Sequence, residues 1–402
     1  MVEGHSTVAV RRSSGRGSSQ ALERWVPPLL ALVAGNLLFW FAARRHGFNW
    51  LDAMSRARYD TFQYLSIAQH GYRVERCPAP GQVLEACGNI GWFPLYPLLL
   101  RAVHLLGGWS LVTIGAFVAE VALLGALIAV WHLLGARVTG GTVACLTVAA
   151  AWPGAVYYHA IFPIALSVLL ALVAWWLLDT GQSRPAGIAG LLATMTYGIS
   201  VLIAPAMLLY LFLTRTRGSR AWLREAAETC GLTCLGVVVT GAVMWYDTGR
   251  FTPYLDFQRR VTGGRLHNPV ESYRQLLDTG RIPYARGTGA HPWPTAEIVS
   301  TLRWELRAAL ILLVAAVLVV AVQAIRRSAT ALDIALVGYG ILMFTAPLVI
   351  WPHTTQVRAH ALMMPMVLVF RHLPAALSGV LAAGSVVLAY ALGALFVLSS
   401  LV

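Results

Sequence analysis

The sequence has little charge and is especially poor in acidic residues. Only 12% of its 402 residues are charged, Asp and Glu together number 17, and 58% of the residues are hydrophobic. A soluble protein of this length carries about twice that charged fraction, so a water-soluble fold is excluded. The formal net charge of +13 comes from short basic clusters between apolar runs. That arrangement is typical of loops that hold membrane topology against anionic lipid, and we expect no nucleic-acid partner.

Cysteine is scarce, and several motifs are missing. The chain has five cysteines, and their spacing fits neither a zinc site nor a redox pair. It contains no phosphate-binding glycine loop, no metal-binding histidine pair on a helix and no internal repeat of fixed period. Nucleotide-driven transport therefore has no support, and we expect neither a metal nor a cofactor.

Apolar runs recur along the chain and are separated by Gly, Pro, Arg or Trp. They span about 26–43, 93–106, 111–134, 142–157, 164–178, 187–213, 230–245, 308–322, 331–350, 361–370 and 375–402. They predict an all-α polytopic membrane protein of about 10–12 transmembrane helices. Run 187–213 is long, and Gly198 near its middle favours two half-helices. We expect one membrane domain over 25–402, after a disordered, basic, cytoplasmic tail over 1–24.

Arginines set the expected topology. Segment 215–228 contains four of them and is the strongest positive-inside signal. It places this loop in the cytoplasm. Arg11, Arg12 and Arg16 precede the first apolar run and place the N-terminus there too, so we expect the two long polar stretches, 44–91 and 247–303, on the outer side of the cell membrane. The first stretch contains Cys77 and Cys87, ten positions apart. An oxidising outer face and the short separation favour a disulfide between them, with two free thiols as the alternative.

The first outer stretch contains a short amphipathic segment. In segment 58–72, apolar residues recur at helical spacing up to Gly71, which predicts a helix on the membrane surface that ends at this glycine. Asp60 lies in its first turn. Its carboxylate either stabilises the helix dipole or acts as a general base at the interface. Glu120, inside the third apolar run, either packs protonated against another helix or has a polar role near a cavity.

Two sequence blocks resemble a known family. The blocks are Tyr59-Asp60 with Tyr64-Leu65-Ser66-Ile67-Ala68-Gln69-His70-Gly71-Tyr72, and Trp92-Phe93-Pro94-Leu95-Tyr96-Pro97. They resemble the PIG-V-like mannosyltransferases of the GT-C superfamily, which are similar to GPI mannosyltransferase II, and more closely their bacterial, actinobacterial-looking members. Weaker likeness continues in Gly249-Arg250-Phe251-Thr252-Pro253 and in Arg358 with Met364-Pro365.

The resemblance implies a fold and a reaction. The fold is a GT-C-type helical bundle with amphipathic helices in the first outer loop. The reaction is inverting transfer of mannose, usually without a metal, from a polyprenyl-phosphate donor to a lipid- or glycan-linked acceptor hydroxyl on the outer face. Asp60 matches the family's first-loop aspartate, the general base. Partial desolvation at a lipid boundary would strengthen it as a proton acceptor. Asp52 is the reserve candidate, because on a continuous helix it would lie near the same face.

The leaving lipid phosphate requires a fixed cation. An arginine meets this need with paired donors that stay charged, and Arg358 is the first choice, with His360 beside it. The alternative is an arginine whose charged head reaches the lipid headgroups. Arg259, followed by Arg260 and Arg265, is less specific. Residues expected to line the cavity are Tyr59, Gln63, Tyr64, His70, Phe93 and Tyr96.

The chain departs from the family pattern in two places. Relatives often have a Tyr-Ser-Glu type motif where this chain has Tyr158-His159-Ala160, and Arg-Pro where it has Thr196-Tyr197-Gly198.

Two other classes of function compete with the enzyme. A transporter or lipid flippase would show two related halves with matching broken helices, whereas the outer stretches here are unequal and unrepeated. A noncatalytic membrane subunit would tolerate Asn in place of Asp60.

Overall fold

The structure is a computed structural model that describes residues 17–77, 85–262, 264–279, 296–350 and 356–398, the side chains at some edges of these ranges excepted. Most of the tail expected to be disordered, residues 1–16, lies outside this description, and the first helix begins at Gly17.

Helices form nearly all of the described chain. The α-helices are α1 (Gly17–Arg45), α2 (Thr61–His70), α3 (Leu95–Gly107), α4 (Leu111–Leu133), α5 (Gly140–Ala150), α6 (Val156–His159), α7 (Ile164–Asp179), α8 (Ser183–Thr196), α9 (Ile203–Thr214), α10 (Arg220–Ala226), α11 (Leu232–Thr248), α12 (Pro253–Thr262), α13 (Pro269–Thr279), α14 (Ala296–Ile325), α15 (Ala331–Ile350), α16 (Gln356–Ala361) and α17 (Ala375–Val397). Turns of 3₁₀-helix cover Ala53–Arg56, Gly198–Leu202 and Met364–His372, a π-helical turn covers Ala227–Gly231, and β1 (Val74–Cys77) pairs with β2 (Glu85–Gly88).

The apolar helices confirm a multi-pass membrane protein. Within the described ranges, six helices are long and apolar enough to cross a membrane, and four shorter apolar helices accompany them. The long helices are Glu23–Arg45, Leu111–Leu133, Arg220–Thr248, Ser300–Ile325, Ala331–Ile350 and Ala375–Val397. A residue advances an α-helix by about 1.5 Å, so helices of this length match a hydrocarbon core about 30 Å thick.

Three apolar runs are broken. Run 187–213 divides into α8 and α9 around the 3₁₀ turn at Gly198, as predicted. Run 142–157 is not one helix, because the chain turns at Trp152–Gly154 between α5 and α6. Run 361–370 is mostly 3₁₀-helix, and Pro365 lies in its first turn. Proline lacks the amide that a continuing helix would use, and Gly154 has φ +82°, so neither sequence sustains a straight α-helix.

The core of the bundle is formed by α4, α7 and α8, with α7 packed against both of the others. Helix α1 packs on α4 and α17, and α15 packs on α9 and α14. Large aromatic side chains fill the interior, including Trp131, Trp152 and Trp175. This packing gives the short segments between α5 and α7, and around α16, a rigid frame.

Helix α15 separates two polar ends of the bundle. At its first turn, Asp333 accepts hydrogen bonds from Arg371 (2.8 Å) and His372 (3.1 Å), beside the Arg326–Arg327 turn. Helix α16 packs against the second half of α15, where His360 stacks on Phe344. Phe344 is eleven residues after Asp333, or about 16 Å along the helix, so α16 lies well away from the Asp333 cluster.

The two long polar stretches meet at one end, as expected of two loops on the same side. Helix α12 packs against β2, and Phe257 contacts Trp92 with ring centroids 5.5 Å apart. Helix α2 ends at Gly71, as predicted. The hairpin register pairs Glu75 with Cys87 and Cys77 with Glu85. The side chains of both cysteines lie outside the described residues, so their disulfide stays a prediction.

Candidate active site

Asp60 and Arg358 form an ion pair at the α16 end of the bundle. Oδ2 of Asp60 accepts a hydrogen bond from Nη1 of Arg358, although the two residues are 298 positions apart. Asp60 is the N-cap residue of α2, but its carboxylate makes no capping hydrogen bond. The interaction with Arg358 therefore takes the carboxylate away from the local role of a cap.

Local contacts fix the start of α2 and direct Asp60. Tyr59 has φ 53°, in the left-handed region that a bulky residue rarely adopts. The hydroxyl of the buried Thr61 donates to the carbonyl of Ile161 (3.1 Å), and the amide of Ile161 donates to the carbonyl of Arg56 (3.2 Å). The first turn of α2 is thus tied to the segment between α6 and α7.

Arg358 is enclosed by aromatic side chains and is only 5% exposed. Its guanidinium carbon lies 4.9 Å from the ring centroid of Phe162, 5.4 Å from that of Tyr157 and 6.0 Å from that of Tyr59. The phenols of Tyr157 and Tyr197 also lie close to it. An arginine that reaches the headgroups keeps its head in water, so this burial favours a site residue.

Aromatic side chains also hold α16. The indole of Trp152 donates to the carbonyl of His360 (2.8 Å), and the hydroxyl of Tyr158 donates to the carbonyl of Ala361 (2.5 Å). The hydroxyl of Tyr339 donates to the carbonyl of Leu362 (2.8 Å). All three carbonyls lie at or just past the end of α16, so these donors fix the position of this short helix.

A second charged cluster stabilises the loop before Asp60. Arg56 donates through Nη1 to Oε1 of Glu120 (2.5 Å) and through Nε to the carbonyl of Trp50 (2.9 Å). His159 lies 3.0 Å from the same Glu120 oxygen, and Asn36 donates to the other (2.9 Å). Glu120 is therefore not packed alone against a neighbouring helix. It joins α1, the 50–56 loop, α4 and α6.

Asp52 is not placed as expected. The continuous helix that would align it with Asp60 is absent from this described segment, because a 3₁₀ turn ends at Arg56 and Tyr59 reverses the backbone. Asp52 is exposed, and its carboxylate accepts from the amide of Met54 (3.0 Å) as the N-cap of that turn. Its local capping role accounts for the residue.

The other cations expected at the phosphate lie elsewhere. His360 is directed at Glu305, 2.8 Å away, rather than at Asp60. Arg259 is exposed on α12, Arg265 is exposed after it, and the side chain of Arg260 lies outside the described residues. Of this set, the structure brings Arg358 to Asp60.

The residues expected to line the cavity divide into two groups. Tyr64 is buried with its ring 5.6 Å from Tyr96 and 6.0 Å from Phe162, and Phe93 contacts Tyr254 at 5.0 Å. Burial raises the pKa of the Tyr64 phenol well above its usual range, so the hydroxyl stays protonated. Tyr59 packs against Phe396 (5.9 Å), Gln63 is partly buried and His70 is exposed at the end of α2. Tyr59 and Tyr64 border the ion pair most directly.

Sequence reasoning missed the residues that surround Arg358. They are Tyr157 and Phe162, on either side of the Tyr158-His159-Ala160 segment, and Tyr197. Nothing in the sequence marks these aromatic residues as neighbours of Arg358. In the described part of the chain, no group of three His, Cys, Asp or Glu residues is placed to hold a metal ion.

No protein-family model and no curated protein matches the sequence. Among solved structures, the crystal structure of the Archaeoglobus fulgidus oligosaccharyltransferase in its apo form is similar, with a TM-score of 0.52 and 14% identity. The likeness covers 93% of this chain. The fold is of the GT-C type. This GT-C-type chain spans 56% of the length of the archaeal protein, and at this identity the likeness concerns the fold alone.

Proposed function

We propose that this chain is a membrane glycosyltransferase that transfers mannose from a polyprenyl-phosphate donor to an acceptor hydroxyl, with inversion, on the outer face. The observation that carries the proposal is the contact between Asp60 and the buried Arg358. A carboxylate and a fixed cation are the two groups that such a transfer requires. The GT-C-type fold and the likeness of the Asp60 segment to PIG-V-like enzymes support the choice of reaction.

Asp60 is the proposed general base. It accepts the proton of the acceptor hydroxyl while that oxygen attacks the anomeric carbon of the donor sugar from the face opposite the phosphate. The bond between the anomeric carbon and the phosphate oxygen breaks, and its electron pair leaves with the phosphate. The products are a mannoside of inverted configuration and polyprenyl phosphate. The proton resides on Asp60 until solvent removes it, and the 30% exposure of this side chain gives it a route.

Arg358 is the proposed cation for the leaving group. The phosphate diester carries one negative charge in the donor and gains a second as the sugar departs. Because the charge grows in the transition state, a fixed guanidinium stabilises that state more than the bound donor. The aromatic rings around Arg358 keep water away, which strengthens the interaction.

The ion pair implies an order of events. Without donor, the Asp60 carboxylate is held in its hydrogen bond with Arg358. A donor phosphate competes for the same guanidinium, and its binding releases Asp60 for the acceptor. Donor binding then precedes activation of the acceptor, which limits hydrolysis and unproductive proton transfer.

The distribution of charge supports the outer face. The turns with Arg215, Arg217, Arg326 and Arg327 connect helices at the end away from α16, and arginine-rich turns stay in the cytoplasm. The Asp60 and Arg358 pair then faces outward, together with α2, the hairpin and α12.

A transfer assay tests the proposal. Purified protein in lipid nanodiscs is incubated with radiolabelled polyprenyl-phosphate mannose and a panel of alkyl mannosides and glycolipids, with polyprenyl-phosphate glucose as the competing donor. We expect transfer from the mannose donor at a higher kcat/KM and a product of inverted anomeric configuration. A folded protein that binds the donor but transfers neither sugar to any acceptor would contradict an enzymatic role. Movement of the intact donor across the bilayer would instead favour a flippase.

A further inference from the structure

A second buried polar cluster lies on the other side of α16 from Arg358. Its members are Gln356 and His360, one helical turn apart, and Glu305 of α14. Nδ1 of His360 and Oε1 of Glu305 are 2.8 Å apart, and the two residues are 0% and 1% exposed. Phe344 stacks on the imidazole with ring centroids 5.1 Å apart and planes at 12°.

Three polar atoms of this cluster have no hydrogen-bond partner among the described residues. They are Nε2 of His360 and both amide atoms of Gln356, which is only 3% exposed. A buried polar group without a partner loses the hydrogen bonds that it makes in water, which destabilises the fold. Native structures contain few such groups, and each calls for an explanation, of which a functional role is one. The cluster therefore lacks the partner that these atoms are placed to meet.

The cluster adjoins the proposed active site through Tyr157. The ring centroid of Tyr157 lies 5.4 Å from the guanidinium carbon of Arg358, and its phenol is close enough to Glu305 for the two to interact electrostatically. One aromatic side chain thus separates the Asp60 and Arg358 pair from His360 and Glu305.

The chemistry of the cluster fits hydroxyl groups. With Glu305 accepting from Nδ1, a neutral His360 presents Nε2 as an acceptor, while Gln356 offers both a donor and an acceptor. Neighbouring hydroxyls of a hexose supply the complementary set, and the apolar Phe344 ring suits the CH groups of a sugar. A phosphate does not fit, because the Glu305 carboxylate would repel it.

We infer that Gln356 and His360, oriented by Glu305, form a subsite for the hydroxyl groups of a hexose next to the Asp60 and Arg358 pair. The inference rests on the proposed function. The hexose comes either from the donor or from the acceptor, and binding experiments with separate probes distinguish the two.

The test compares Gln356→Met with wild type. Met has a similar length and no polar amide, so the variant removes two unpartnered buried atoms and should melt at or above the wild-type temperature. Gln182→Met is the matched control, because Gln182 lies in the turn between α7 and α8. Thermal stabilisation is measured with polyprenyl phosphate, polyprenyl-phosphate mannose and octyl mannoside, each titrated alone.

We expect Gln356→Met to bind a mannose-bearing probe about ten-fold more weakly than the wild type and Gln182→Met do. The reason is that the Met side chain cannot form the hydrogen bonds that the Gln amide makes to a sugar. A lower affinity for polyprenyl-phosphate mannose, with the affinity for polyprenyl phosphate unchanged, assigns the subsite to the donor sugar. A lower affinity for octyl mannoside alone assigns the subsite to the acceptor. Equal affinity of Gln356→Met and wild type for every probe would overturn the inference.

The probes separate this inference from the proposed function. Polyprenyl phosphate contains no sugar, so its failure to bind wild type counts against the proposed donor and says nothing of the hexose subsite. Octyl mannoside requires neither donor nor turnover. Should Gln356→Met not fold, Glu305→Gln decides the matter, because it keeps the shape of the side chain and removes the charge that fixes His360. Unchanged octyl mannoside and mannose-donor affinity in that variant would also overturn the inference.

Discussion

At the residue scale, the site depends on one buried cation. Arg358 is almost fully enclosed, while the Asp60 side chain keeps 30% of its surface exposed. Charges buried in a helical membrane protein are costly and usually face a partner or a cavity. The exposed side of Asp60 is the direction from which an acceptor hydroxyl can approach, and the guanidinium behind it is fixed by three aromatic rings.

Replacing Arg358 with Lys separates a phosphate clamp from a simple charge. Lysine keeps a positive charge beside Asp60 but offers a point charge in place of the planar fork, and it packs less well between aromatic faces. We expect kcat/KM for the donor to fall at least about ten-fold, or about 1.4 kcal/mol in the barrier. Arg259→Lys, on the exposed face of α12, is the control and should leave the kinetics unchanged. If Arg358→Lys had the same kcat/KM for the donor as the wild type, a role of Arg358 in binding the donor phosphate through its planar fork would be excluded.

At the element scale, the position of α16 depends on the close approach of Gly154. This glycine has φ +82°, and a Cβ there would lie 2.3 Å from the carbonyl oxygen of Val357, the residue before Arg358. Gly181 has a similar φ of +79°, but nothing lies within 4 Å of its Cβ position. The two glycines thus share the same backbone strain and differ in the contact with α16.

Gly154→Ala should therefore reduce both stability and transfer. Each alanine variant has a backbone cost of about 1 kcal/mol, and Gly154→Ala adds the displacement of α16, about a further 1–3 kcal/mol. Thermal unfolding and transfer rates of Gly154→Ala and Gly181→Ala provide the measurement. Equal melting temperatures with equal turnover would show that the approach of Gly154 does not position Arg358.

The cluster around Glu120 connects elements in the same way. Glu120→Gln removes the charge opposite Arg56, whose side chain is 9% exposed, and leaves a buried guanidinium without a counter-charge. We expect a loss of about 3 kcal/mol in the free energy of unfolding, measured by denaturation in detergent. Glu228→Gln, in the π-helical turn away from the site, is the matched control because it makes the same chemical change. Asp179→Gln would not serve, because it also changes the length of the side chain. A Glu120 variant as stable as the Glu228 variant would contradict this role.

Local patterns account for the elements that the sequence predicted. Gly71 marks the end of α2 because a glycine with positive φ stops a helix whatever surrounds it. In run 187–213 the extended backbone of Tyr197 ends α8, and Gly198 begins the 3₁₀ turn, where a Cβ would lie 2.5 Å from the ring of Phe93. The break at Trp152–Gly154 depends on packing against α16, which lies about two hundred residues later in the sequence. Asp52 and Asp60 do not share a helix face, because the left-handed backbone of Tyr59 interrupts the helix between them. That conformation is imposed by tertiary contacts and leaves no periodic signal in the sequence.

The site was predictable only in part. Asp60 and Arg358 were chosen by resemblance and by the chemistry of a phosphate leaving group, and the structure brings the two together. Tyr157, Tyr197 and Glu305 carry no such signal, because aromatic residues and single acids within apolar runs are common and become informative only when folding places them around one cation or one imidazole.

At the scale of the whole molecule, the arginine-rich turns and the active site should face opposite sides of the membrane. Leu266, after α12, and Ile325, at the end of α14, are 80% and 83% exposed. We expect Leu266→Cys to react with a membrane-impermeant maleimide on intact cells, and Ile325→Cys to react only after permeabilisation, with labelling of the wild type as the baseline. The reverse pattern would place the site on the cytoplasmic side.

The proposed function requires one property of the assembled molecule, which is sugar transfer that depends on the Asp60 carboxylate. The most direct measurement compares donor turnover by Asp60→Asn and Asp52→Asn, normalised to folded protein. Asn caps a helical turn as well as Asp does, so Asp52→Asn should keep wild-type turnover. Asp60→Asn should lose about 10²–10⁴-fold, with a lower melting temperature because Arg358 loses its counter-charge. Near wild-type turnover of Asp60→Asn would contradict the account.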